Sequence, residues 1–73
     1  MSQKVQESLA ILRLKTVKQR VGLSRSTIYA QMARGEFPSK VMLGARSVGW
    51  IEQEIEAHLR SRIEASRAMP VAR

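Results

Sequence analysis

The spacing of apolar side chains changes character several times along this chain, and each change marks an element. Leu9-Ala10-Ile11-Leu12-Arg13-Leu14 is an apolar leading segment, which reads either as a short extended stretch or as a tether packed on the core. From Leu14 the apolar positions Leu14, Val17 and Val21 recur at helical spacing until Gly22 stops them. No strong N-cap marks the start of this first helix. The next start is sharply marked. Ser24 is a good N-cap, and Leu23 and Ile28 flank it at the spacing of a hydrophobic staple. The helix so begun runs to about Arg34 with Ile28 and Met32 facing inward, a rod about 15 Å long. Gly35 supplies the left-handed residue that ends it, and Pro38 prevents its resumption.

Between Lys40 and Trp50 the period drops to two. Val41 and Leu43 point one way and Lys40 and Met42 the other, and after Gly44-Ala45-Arg46-Ser47 the alternation returns with Val48 and Trp50. That pattern predicts a two-stranded hairpin with an arginine at its tip. Helical spacing resumes from Ile51 to about Arg67 through Ile51, Ile55, Leu59 and Ile63. Glu52, Glu54 and Glu56 suit the positive end of that helix, and Arg60, Arg62 and Arg67 suit its negative end. Residues 1–8 are expected as a flexible N-terminus, 9–67 as one domain, and 68–73, containing Pro70, as a flexible tail. The fold class is therefore mainly α with a small β-hairpin, in the order helix, helix, wing, helix. That is the order of a winged helix-turn-helix domain.

Composition narrows the chemistry. With 73 residues and no cysteine, the chain has no disulfide and no cysteine-ligated zinc or iron–sulfur centre. No apolar run approaches the roughly 20 residues needed to span a bilayer, and no signal-peptide core is present, so a soluble, cytoplasmic protein is expected. The net charge of +7 is unevenly placed: residues 11–50 hold eight basic side chains and one acid, Glu36, while five of each sign balance outside that window. A basic excess coincident with a helix-turn-helix pattern points to double-stranded DNA as the partner. The alternative is a basic face that only keeps a small protein soluble.

Four segments, in this order and spacing, closely resemble the AlpA family of small phage and prophage transcriptional regulators. They are Ile11-Leu12-Arg13-Leu14-Lys15, Gly22-Leu23-Ser24-Arg25-Ser26-Thr27-Ile28-Tyr29, Gly35-Glu36-Phe37-Pro38, and Leu43-Gly44-Ala45-Arg46-Ser47-Val48-Gly49-Trp50. The resemblance covers about residues 11–63 and implies a MerR-like winged domain related to excisionases. His58 departs from it, since the family often carries a bulky aromatic there.

Arg25, Ser26 and Thr27 fill the first turn of the second helix, where arginine can fork onto guanine or clamp a phosphate and hydroxyls can bond either. Ser24 counts with them as a candidate DNA contact, and the bland reading is that Ser26 and Thr27 only solvate helix-start amides. Ser26, Thr27, Ala30 and Arg34 share the face opposite Ile28 and Met32, and small Ala30 admits close approach or a thymine methyl. Tyr29 lies on the flank; the MerR-like resemblance implies a phosphate contact, and a core-edge ring is the competing reading. Lys40, Arg46 and Ser47 belong to the wing, which either lies along the backbone or minor groove or simply carries charge on an otherwise sticky edge. Arg13, Lys15, Lys18 and Arg20 read as phosphate-positioning or solvated groups. Trp50 is expected in the core and His58 as a half-buried packing residue; a lone histidine gives no metal site and no cofactor is implied.

No phosphate-binding glycine loop and no nucleophile–histidine pairing is present, so no enzyme is expected. The resemblance implies a DNA-binding regulator of a prophage or integrative element, acting on a gene such as that of an integrase. Two alternatives stand beside it. One is an excisionase-like directionality factor that bends attachment-site DNA; the other is an adaptor that uses its last helix on another protein, with integrase or RNA polymerase as candidate partners. Self-association on paired sites is a further expectation.

Overall fold

The computed structural model describes residues 9–68, in the order β1 (Ile11–Leu12), α1 (Leu14–Val21), α2 (Arg25–Ala33), β2 (Val41–Met42), β3 (Val48–Ile51) and α3 (Glu52–Ala68). The expected flexible N-terminus, and the tail beyond Ala68, lie outside the described residues.

Each helix boundary has a local cause. Arg13 stands at the N-cap of α1 without a side-chain cap. Its Nε donates instead to the Val48 carbonyl at 3.0 Å, tying the helix start to β3. Gly22, at φ 73°, closes α1 by donating its N–H to the Lys18 carbonyl at 2.9 Å. Ser24 then caps α2: its Oγ accepts from the Thr27 amide at 3.2 Å. At the other end the Gly35 amide donates to the Met32 carbonyl at 3.0 Å and the Glu36 amide to the Gln31 carbonyl at 2.8 Å. That pair of bonds is a Schellman closure, and it needs the left-handed backbone that Gly35 adopts at φ 74°. The staple and stop read from the sequence are both in place, with Ile28 fully buried and Leu23 packed on the core.

The expected hairpin is present as β2 paired with β3, and the leading segment joins it as a third antiparallel strand in the order β1-β3-β2. Ile11 pairs with Ile51 and Leu12 with Trp50, while Val41 pairs with Gly49 and Met42 with Val48. The leading segment is thus an edge strand. One expectation needs correction: Ile51 belongs to β3 and not to the last helix. Ile51 shares the helical spacing of Ile55 and Leu59, so periodicity alone assigns it wrongly. What decides is the ladder with β1, which continues one residue further as the Glu52 amide donates to the Ala10 carbonyl at 2.7 Å.

The core consists of Leu12, Val17, Ile28, Phe37, Trp50 and Ile55, drawn from every helix, from β1 and β3 and from the segment after α2. Trp50 is fully buried, and its Nε1–H reaches the Pro38 carbonyl at 3.1 Å, so its one polar atom is satisfied. On α3 the apolar stripe drifts off the body: Ile55 is buried, Leu59 half-buried and Ile63 49% exposed. No described helix is long and apolar enough to cross a membrane.

Candidate nucleic-acid interface

The first turn of α2 is a hydroxyl cluster. Ser24 Oγ donates to Thr27 Oγ1 at 3.0 Å and lies 3.4 Å from Ser26 Oγ. Because Thr27 Oγ1 accepts from Ser24, the hydrogen of the Thr27 hydroxyl remains free to donate outward. Ser24, Ser26, Thr27 and Ala30 are all exposed, and together they form a small, polar, low-relief surface along the helix. Ser24 is occupied mainly by capping; Ser26 and Thr27 retain capacity for an external ligand.

Tyr29 takes the core-edge position. Its ring is half-buried and meets Trp50 edge-on, with centroids 6.4 Å apart and planes at 85°. It therefore closes the edge of the core. The same ring carries the Arg25 guanidinium 4.6 Å from its centroid and the Lys40 ammonium 5.5 Å from it. One cation comes from α2 and the other from the segment leading into β2. The sequence carries half of this arrangement, since Arg25 and Tyr29 stand four apart on a helix. Lys40 arrives only through tertiary packing, and no local signal announces it.

The remaining basic residues divide into engaged and unengaged. Arg20 lies 3.0 Å from Glu52 and 3.5 Å from Glu56, so it joins α1 to the first turns of α3. Arg34, placed by the sequence on the groove-facing surface, has its Nε 3.1 Å from the Glu36 carboxylate beside the Schellman closure. Among the described residues, Lys15, Lys18, Arg25, Lys40 and Arg46 form no ion pair. Arg46 is exposed at the hairpin tip. Ser47 is half-buried behind it, and its carbonyl accepts from the Leu43 amide at 2.7 Å to close the turn. Ser47 thus shapes the wing more than it presents a side chain.

His58 packs its ring edge-on to Phe37, with centroids 4.8 Å apart, as a half-buried packing residue would. Burial, and secondarily the positive charge of Arg62, hold its pKa below the ordinary value of 6.5. A shallow groove of about 480 Å³ beside it is lined by Val21, Leu59, Arg62 and Ile63 among others, and by none of the cationic residues around Tyr29.

Residues 10–63 match the family described as Prophage CP4-57 regulatory protein (AlpA). Over 52 residues the chain is 46% identical to the uncharacterized protein ORF88 of Enterobacteria phage P4, a match covering 71% of this chain and 59% of that protein. Over 61 residues it is 44% identical to the DNA-binding transcriptional activator AlpA of Escherichia coli strain K12, covering 75% of this chain and 87% of that protein.

Proposed function

This chain belongs to the AlpA family of prophage regulatory proteins, and on that premise we propose that it is a sequence-specific DNA-binding regulator of a prophage or integrative element. In this reading α2 enters a major groove with Ser26, Thr27 and Ala30 toward the base edges, and the β2–β3 wing rests on the flanking backbone with Arg46 at its tip. The single observation that carries it is the meeting of helix and wing at Tyr29, whose ring has both Arg25 and Lys40 within cation–π reach, neither with a carboxylate partner among the described residues. Two unneutralised cations gathered around one ring attract a polyanion. The target gene, an integrase gene for instance, belongs to this proposal, as do self-association on paired sites and contacts with integrase or RNA polymerase.

Charge partition sets the expected salt response. If Arg25, Lys40, Arg46 and one or two of the α1 lysines each neutralise a phosphate, log affinity falls against log salt with a slope of roughly −4 per bound protomer. Fluorescence anisotropy on a mixed-sequence duplex across several salt concentrations measures it. A flat response removes DNA as the partner and favours the adaptor reading. DNase footprinting across an integrase promoter and its attachment site then separates a regulator, which protects the promoter, from an excisionase-like role, which bends the attachment site.

A further inference from the structure

We infer that the ring of Tyr29, and not its hydroxyl, is a positioning element that sets Arg25 and Lys40 as a two-cation fork for phosphate oxygens of one DNA strand. This makes Arg25 a backbone clamp and leaves base reading to Ser26, Thr27 and Ala30. The inference rests on the DNA reading above and deepens it.

Three observations support it. The first is geometry: both cations lie within cation–π reach of the same ring, at 4.6 and 5.5 Å from its centroid, so their charges are no farther apart than the sum of those distances. Like charges at such range repel, and the arrangement persists because the electron-rich ring face attracts each of them. An anion relieves the repulsion more fully than the ring can. The second is rigidity. The ring itself is fixed by its edge-on contact with fully buried Trp50, whose Nε1–H is bonded to the Pro38 carbonyl two residues before Lys40. The platform is thus fastened to the core on the helix side and to the segment leading into β2 on the other. The third is direction. On the helical wheel Arg25 and Tyr29 share one stripe along the flank of α2, whereas Ser26 and Ala30 share the next stripe around, opposite Ile28. An arginine drawn onto the flank by Tyr29 reaches the wall of the groove, where phosphates lie, before its floor.

The test combines a measurement on the free protein with binding. In the free protein, NMR should show the side-chain methylene protons of Arg25 and Lys40 shifted upfield by the aromatic ring. The shift should survive Tyr29→Phe and vanish in Tyr29→Leu. Binding is then measured by anisotropy on a duplex selected by the wild-type protein from a random-sequence library, and on its scrambled counterpart. Arg25→Ala and Lys40→Ala should each reduce the salt slope by about one unit, and at 0.1 M salt each should bind both duplexes on the order of eightfold more weakly. The ratio between the two duplexes should not move. Tyr29→Leu should approach the Arg25→Ala, Lys40→Ala double variant, and Tyr29→Phe should rescue it. Circular dichroism checks the fold of Tyr29→Leu; should it unfold, the two cation variants and Tyr29→Phe decide alone, since none of them removes the ring from the core. Equal losses in Tyr29→Phe and Tyr29→Leu would show that the hydroxyl is the phosphate donor and overturn the proposal. So would Arg25→Ala collapsing the ratio between duplexes with the salt slope unchanged, because Arg25 would then be reading bases. A wild-type protein that enriches no duplex from the library and binds mixed-sequence DNA no better than background fails in a different way: it overturns the DNA reading itself, whatever the ring-current shifts show.

Discussion

Replacing Gly49 with alanine would place one methyl group in the tightest gap of the sheet. A Cβ there would come against Ile11 Cγ2, lie 3.0 Å from the Leu12 carbonyl oxygen and 3.2 Å from Leu43 Cδ1. The glycine is needed for space and not for its backbone angles, since its φ is not positive. Ile11 Cγ2 sits directly on a branched carbon, so it can retreat only by leaving its χ1 well, at about 0.5–1.5 kcal/mol, or by dragging β1 with it. The crowded Leu12 carbonyl is backbone and cannot rotate away. Overpacking of this sort costs about 1–3 kcal/mol, offset by up to about 1 kcal/mol because alanine restricts the unfolded chain. A net loss of about 1–2 kcal/mol is expected. It is a large share of the roughly 4–10 kcal/mol available to a 73-residue domain, and it should lower the melting temperature by about 5–15 °C. Thermal and urea unfolding followed by circular dichroism measure it. The double-mutant cycle with Ile11→Ala isolates the cause: Ile11 is 41% exposed, so its own truncation is mild, and removing its Cγ2 should make Gly49→Ala cheaper by at least about 0.5 kcal/mol. If Gly49→Ala melts at or above the wild-type temperature, or costs the same in both backgrounds, the close approach of β1 to β3 is not what demands glycine.

Other perturbations test separate parts of the fold. Ser24→Ala removes the cap of α2 and should cost about 1 kcal/mol in urea unfolding, with Ser24→Asp recovering most of it. Trp50→Phe strips the Pro38 carbonyl of its donor and leaves a partial void, for a loss of about 2–3 kcal/mol by the same assay. His58 titrates lower in the folded protein than its ordinary 6.5, so between those two values the unfolded chain binds more protons. Its contribution is therefore complete above about pH 6.5 and diminishes as the pH falls; urea midpoints at pH 7.5 and 5.5 should show the decline, and His58→Phe should flatten it.

Much of this architecture is legible in the residues because its boundaries are set locally. Gly22, Ser24, Gly35 and Pro38 each impose a backbone state on their own neighbours, so α1 and α2 can be read without knowledge of the rest. The hairpin is similarly local. β1 is not: two residues have no period of their own, and Ile11 and Leu12 become a strand only by pairing with Ile51 and Trp50, some forty positions on. Ile51 shows the converse failure, where a helical spacing was present but a strand ladder prevailed. At the interface, sequence picks out Arg25, Tyr29 and Lys40 individually, yet their convergence depends on Trp50 and Pro38 bringing the start of β2 back across α2. The pairing of Arg20 with Glu52 and Glu56 is equally invisible, because it joins helices separated by the whole wing.

That pairing changes the meaning of the charge. A window of eight basic residues suggests a broad cationic face, but Arg20 and Arg34 are engaged with glutamates, and Arg13 is bonded to the Val48 carbonyl at the root of the wing. The exposed ion pairs contribute little stability individually. Among the described residues of the basic window, this leaves Lys15 and Lys18 on α1, Arg25 and Lys40 on the flank where α2 meets β2, and Arg46 at the hairpin tip without a carboxylate partner. Fold and function then share one set of contacts. Trp50 holds Pro38 by its indole N–H and Tyr29 by its ring edge, and Tyr29 in turn holds the two cations. A change at Trp50 should therefore reach the interface even where the protein stays folded, because the residue that fills the core also fixes the distance between helix and wing.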